Sequence, residues 1–158
     1  MLRGILLILL VGNTLAWADG EVGIDYNYPE KPNPEVTMGD LCNTTNPDFA
    51  GYRYAEKIAY CARNVTWERK KKIYDEYGVP ENCRKQYTID HFIPLALGGS
   101  NEEVNLWPEH KNVKATRQSL EQELFEKISR GEITQLAAIK VIKRAKKNPE
   151  PSTPDPCY

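Results

Sequence analysis

The sequence predicts an α+β fold, mainly helical, stapled by disulfides. Three observations carry that reading. Apolar residues recur at helical spacing in several separate segments. A short β-prone pair of runs, divided by a Gly-Gly turn, sits mid-chain between them. Four cysteines, at 42, 61, 83 and 157, make an even set, which in an oxidising compartment reads as two disulfides.

The N-terminus argues for that compartment. MLRGILLILLVGNTLAWADG has a positive start at Arg3, an apolar run from Ile5 to Val11 and a small-x-small site at Ala16-Trp17-Ala18. This is the three-part pattern of a secretory signal peptide. Its apolar run is short of the ~20 residues that span a bilayer. Residues 1–18 are thus expected to be a leader, and the mature protein to be exported, monomeric and off the membrane. Removing them leaves about 140 residues, with 20 basic against 22 acidic side chains. That balance excludes a globally cationic nucleic-acid binder, but the basic residues are clustered, and a phosphate backbone needs only a local stripe.

Residues 19–40 carry prolines at 29, 32 and 34 and no periodicity, and read as an extended lead-in. The domain proper is expected over 41–148. Ala50 to Ala62 has helical spacing, with Tyr54, Ile58 and Cys61 on one side. Thr66 to Tyr77 is a better helix: Thr66 can cap it, Trp67, Ile73, Tyr74 and Tyr77 form its apolar side, and Gly78 with Pro80 stops it. Gln86 to Ile89 and Asn105 to Trp107 are short strand candidates around the turn at Gly98-Gly99. A helix is expected from about Val113 to Ser129 on Leu120, Leu124 and Ile128. Another is expected over Glu132 to Lys147, with Leu136, Ile139 and Ile142 inside. Residues 149–158 are a Pro-rich tail. Three disulfide connectivities are possible, and Cys42–Cys61 with Cys83–Cys157 is preferred because it pins this tail to the body.

The chemistry concentrates at Asp90-His91, where the first strand ends. A carboxylate can hold a divalent cation against a phosphate, and an imidazole titrating near neutrality can take the proton from an attacking water. A bend at the strand end would bring both to one cleft. A structural Asp–His hydrogen bond has the same spacing. Asp90-His91-x-x-Pro94-Leu95-x-x-Gly98-Gly99-x-Asn101, followed by Asn105-Leu106-Trp107-Pro108, resembles the HNH endonuclease family with its ββα-metal active site. The resemblance covers about Tyr87 to Glu121.

The resemblance implies a ββα-metal motif, its core about 85–130, packed among helices. It implies His91 as general base, Asp90 as metal ligand and Asn105 as the brace of the loop between the strands. It implies a divalent metal, Mg²⁺ first with Mn²⁺ or Zn²⁺ as alternatives, and a second ligand on the following helix. The family's spacing lands on Lys114, whose ammonium cannot bind a cation, so Asn112 and His110 are the candidates. Arg84, Lys85, Lys114 and Arg117 are the candidate phosphate contacts. The family's flanking zinc-binding cysteine pairs are absent, and disulfides would replace them. The function implied is an exported, metal-dependent endonuclease of low sequence specificity, with DNA, and RNA as a second class, for substrate and a protein inhibitor as a conceivable partner. The competing reading is a catalytically inactive binding module on the same scaffold. A protease finds no HExxH motif to support it.

Overall fold

Strand pairing around the Gly-Gly turn organises the molecule. The computed structural model describes residues 29–151. The expected leader and Cys157 lie outside the described residues. In chain order the elements are β1 (Phe49–Arg53), β2 (Ile58–Cys61), α1 (Trp67–Glu76), β3 (Tyr87–His91), β4 (Leu106–His110), α2 (Lys111–Ala115), α3 (Leu120–Ser129) and α4 (Gln135–Lys147). β1 pairs antiparallel with β2, and β3 antiparallel with β4, as two separate two-stranded sheets. The result is a small α+β domain. Among the described residues, no helix is long and apolar enough to cross a membrane.

The segment read as a helix over 50–62 is a hairpin instead. Gly51 disfavours a helix interior, Tyr52, Ile58 and Tyr60 favour strands, and Tyr54 and Lys57 turn the chain at φ 63° and 54°. Tertiary ties complete the override. Cys61 bonds Cys42 in a disulfide, Tyr54 Oη donates to Ala96 O at 2.8 Å, and Ile58 enters the core with Leu124, Ile139 and Ile142. Cys83 is also disulfide-bonded.

Helix α1 forms as expected. Thr66 Oγ1 accepts from Arg69 N–H at 3.3 Å, satisfying one of the first-turn donors, and Ile73 and Tyr74 are buried against β3. Trp67, expected on the apolar side, is 64% exposed because it stands at the first position of the helix, before the stripe meets the sheet. The helix expected over 113–129 is two helices. Thr116 Oγ1 donates to Val113 O at 2.8 Å, a local bond that competes with helix continuation, and residues 116–119 turn before α3 begins. In α4, capped by Thr134, Ile139 and Ile142 are buried while Leu136, one turn too early for the core, is 62% exposed.

The lead-in is not merely extended. Thr37 Oγ1 donates to Leu106 O at 2.9 Å, and Leu41 bridges to Gly99, so residues 37–41 lie along the β3–β4 loop.

Candidate active site

The loop between β3 and β4 is held by one amide. Asn105 Oδ1 accepts from Ile93 N–H at 2.8 Å, and its Nδ2 donates to Ile93 O at 3.0 Å and to Ser100 O at 2.8 Å. Three backbone groups of a buried loop are thereby satisfied by one fully buried side chain. Gly98 adopts φ 86°, and a Cβ on Gly99 would stand 1.8 Å from Ile93 O, so the paired glycines let the loop fold this tightly. The bracing role expected of Asn105 is what its side chain performs.

The register of β3 on β4 sorts the neighbouring side chains. Asp90 lies opposite Trp107, and Thr88 opposite Glu109. His91 lies opposite Leu106, and Tyr87 opposite His110. Since residues alternate faces along a strand, Asp90, Trp107 and Glu109 share one face, and Tyr87, Ile89, His91 and His110 the other. The first face meets the C-terminal helices and the second meets α1. Pairing continues through His91, so no bend intervenes, and Asp90 and His91 reach different partners instead of one shared cleft.

On one face, His91 is 3% exposed, and its Nε2 lies 3.0 Å from Asn101 Oδ1. The amide's orientation is fixed from behind. Asn101 Nδ2 donates to Asp48 Oδ2 at 3.0 Å and to Ala62 O at 2.7 Å, two groups that can only accept. Oδ1 therefore faces the ring, Nε2 must carry the proton, and the lone pair falls on Nδ1. Burial lowers the imidazole pKa; the Asn101 bond and Asp90 act to raise it, Arg63 and Lys146 to lower it, and the net is below its ordinary value. The ring is neutral at neutral pH.

On the other face, Asp90 is enclosed by ammonium groups. Lys146 Nζ donates to Asp90 Oδ2 at 2.7 Å and to His91 O at 2.6 Å, and lies 2.9 Å from Glu121 Oε1. The Glu121 contact is an ion pair without hydrogen-bond alignment. Lys114 Nζ donates to Asp90 Oδ1 at 2.7 Å. Burial works against the carboxylate's charge, but Lys146 and then Lys114 outweigh it and hold the Asp90 carboxyl well below the usual range. Beside them, Arg117 Nη2 donates to Glu109 Oε1, a pair buried on both sides.

The expected ligands and contacts are thus divided. His110 is the last residue of β4, on the face opposite Asp90, stacked edge-on against Tyr87 with ring centroids 5.0 Å apart; its Nδ1 caps α2 by accepting Asn112 N–H at 3.2 Å. Asn112 lies in that first turn, and Lys114, two residues on, is what reaches Asp90. Arg84 is engaged in the body, bonding Asp75 and Val79 O, and Lys85 offers its carbonyl to Lys111 at the far end of β3 from Asp90. Lys114 and Arg117 do flank the Asp90 face.

A divalent metal does not fit this donor set. Both Asp90 oxygens are engaged by cations at hydrogen-bond distance, and a protonated lysine offers no lone pair. Among the described residues no group of three or more His, Cys, Asp or Glu could hold a metal ion.

Four residues of the site escaped the reading of the sequence: Asn101 as more than a loop residue, Asp48, Glu121 and Lys146. The last two had a signal. Lys146 continues the buried stripe Ile139–Ile142 at i+7 and i+4, and Glu121 precedes Leu124 and Ile128 at i−3 and i−7, so each puts a charge where helical periodicity demands an apolar side chain. Compared with protein-family models, with curated proteins and with solved structures, the chain matches none.

Proposed function

We propose that this chain is an exported phosphodiester hydrolase, a nuclease of low sequence specificity acting on DNA, with RNA as a second substrate class, and with His91 as its general base. The observation that carries the reading is the Asp48–Asn101–His91 chain, which fixes the tautomer and leaves Nδ1 as the proton acceptor. A base oriented by a second group, itself oriented by a third, is the arrangement that nucleophile activation uses. The neutral ring is the form a base requires. The strand, Asn-braced loop, strand and helix order around it agrees with the resemblance to the HNH family.

In the proposed step, a water oxygen bonds phosphorus as Nδ1 takes its proton. The bond to the leaving oxygen breaks, and that oxygen is protonated from solvent. Lys114, whose side chain is 42% exposed, lies on the Asp90 face, away from the His91 ring; a cation whose charge reaches that ring is Arg63. Asp90 fixes the strand end on the helices. The intact Cys42–Cys61 disulfide suits an oxidising compartment.

A second reading has its own observation. Asp90 is fully neutralised by Lys114 and Lys146, as in a scaffold that has exchanged catalysis for binding of nucleic acid or a protein. Supercoiled plasmid and single-stranded RNA, each incubated with the purified protein, separate the two. Time-dependent breakage supports hydrolysis, whereas retarded but intact nucleic acid supports binding alone.

A further inference from the structure

We propose that the cation of the Asp90 site is supplied by the chain itself. Lys146, assisted by Lys114, stands where the resemblance calls for a divalent metal, and the protein functions without one. The inference builds on the hydrolase reading but is measured separately from it.

The cage around Lys146 is what makes the case. Its ammonium is 0% exposed and has three N–H groups. Around them stand three oxygens of three kinds: a strand carboxylate (Asp90 Oδ2), a strand carbonyl (His91 O) and a helix carboxylate (Glu121 Oε1), at 2.7, 2.6 and 2.9 Å. Carboxylate and carbonyl oxygens are the donors a hard cation selects. Their spacing, however, is that of N–H···O bonds rather than the ~2.0–2.1 Å of Mg²⁺ coordination. The remaining Asp90 oxygen is closed by Lys114 at 2.7 Å. With Asp90 and Glu121 facing Lys146 and Lys114, two negative charges already meet two positive ones. A divalent ion would have to expel a buried ammonium, and an unpaired buried charge is heavily penalised.

The position of Lys146 is built by the fold. It occupies the last turn of α4 on the same stripe as Ile139 and Ile142, whose burial against α3 and the β3–β4 loop drives the ammonium onto the end of β3. Glu121 arrives from the first turn of α3. Three helices and one strand therefore each contribute one charge to a single cluster.

The test uses the full-length exported protein and Mn²⁺ alone as the probe. Electron paramagnetic resonance and calorimetric titration should show no Mn²⁺ binding that depends on Asp90: wild type and Asp90→Asn should give the same titration. Lys146→Ala, which vacates the cage, should acquire a Mn²⁺ site and a melting temperature that rises with Mn²⁺. Should that variant fail to fold, the wild-type titration decides without it. A wild-type Mn²⁺ site that disappears in Asp90→Asn overturns the proposal. Plasmid cleavage keeps the two ideas apart. Nicking that persists in a chelator supports both. Nicking that needs a metal bound at Asp90 removes this inference and leaves the hydrolase. No nicking under any condition removes the hydrolase, while the Mn²⁺ titration still decides the role of Lys146.

Discussion

Lys146 Nζ and Asp90 Oδ2 lie 2.7 Å apart, with both side chains out of solvent, and join the last turn of α4 to the end of β3. Removing one partner of such a pair strands the other as a buried charge, which typically costs about 3–5 kcal/mol. Lys114 still pairs with Asp90 in Lys146→Ala, so that variant is expected to lower the unfolding free energy in urea by about the lower end of that range. The double variant Asp90→Asn, Lys146→Met should recover most of the loss. Equal stability of single and double variants would show that the pair is not what the helix and strand share.

How Asn101 is held makes a prediction of another kind. Asp48→Asn puts behind Asn101 a neutral amide that can donate as well as accept and leaves Ala62 O as the one acceptor-only partner, so the orientation of the Asn101 side chain, and with it the His91 tautomer, is held more weakly. Nicking by Asp48→Asn should slow more than tenfold with little change in substrate affinity, and the imidazole ¹⁵N shifts should report a mixture of tautomers. A single unchanged tautomer in the variant would contradict the relay.

Much of this architecture was legible in the chain, and the exceptions have physical reasons. Helix α1 could be read because cap, stripe and stop agree locally: Thr66 caps, Ile73 and Tyr74 pack, and Gly78 takes φ 66°. Asn105 could be read because the family resemblance assigns it the brace, and an amide carries both the donor and the acceptor that a tight loop over two glycines needs. The hairpin over 49–61 could not, since its Tyr54, Ile58 and Cys61 spacing also suits a helix and only the ties to Cys42, Ala96 and the core decide. The separation of Asp90 from His91 follows from how far strand pairing runs, which two residues of sequence do not state.

Asn105→Asp should be at least as damaging as Asn105→Ala. It keeps the acceptor for Ile93 N–H but turns a carboxylate oxygen towards Ile93 O and Ser100 O, where Nδ2 now donates. Each buried group left without a partner costs about 1–3 kcal/mol. Thermal unfolding of the two variants measures this, and a near-wild-type Asn105→Asp would contradict the bracing role.

Acidity should act through two groups in two windows. The His91 pKa is lowered in the folded protein from 6.5, so as pH falls through that value the unfolded chain binds the proton first and stability declines; it is fully restored above it. Asp90 is depressed from 3.8, so its contribution is present above that pH and lost as pH falls towards the folded value. Melting temperature should fall as pH drops from 7 through 6.5, and His91→Gln should flatten that limb while leaving the acid limb in place. Activity, which needs the neutral ring, should persist below pH 6.5. A wild-type stability that rises on going from pH 7 to 6 would reverse the sign of the His91 shift.

The role of His91 itself is measured most directly by comparing initial rates of supercoiled-plasmid nicking by wild-type protein and by His91→Ala, after circular dichroism has shown the variant folded. Loss of a general base typically costs about 10²–10⁴-fold in rate. The proposed function predicts steady nicking by the wild type and a drop of that size in the variant. Nicking at equal rates by both, or none by the wild type, would contradict it.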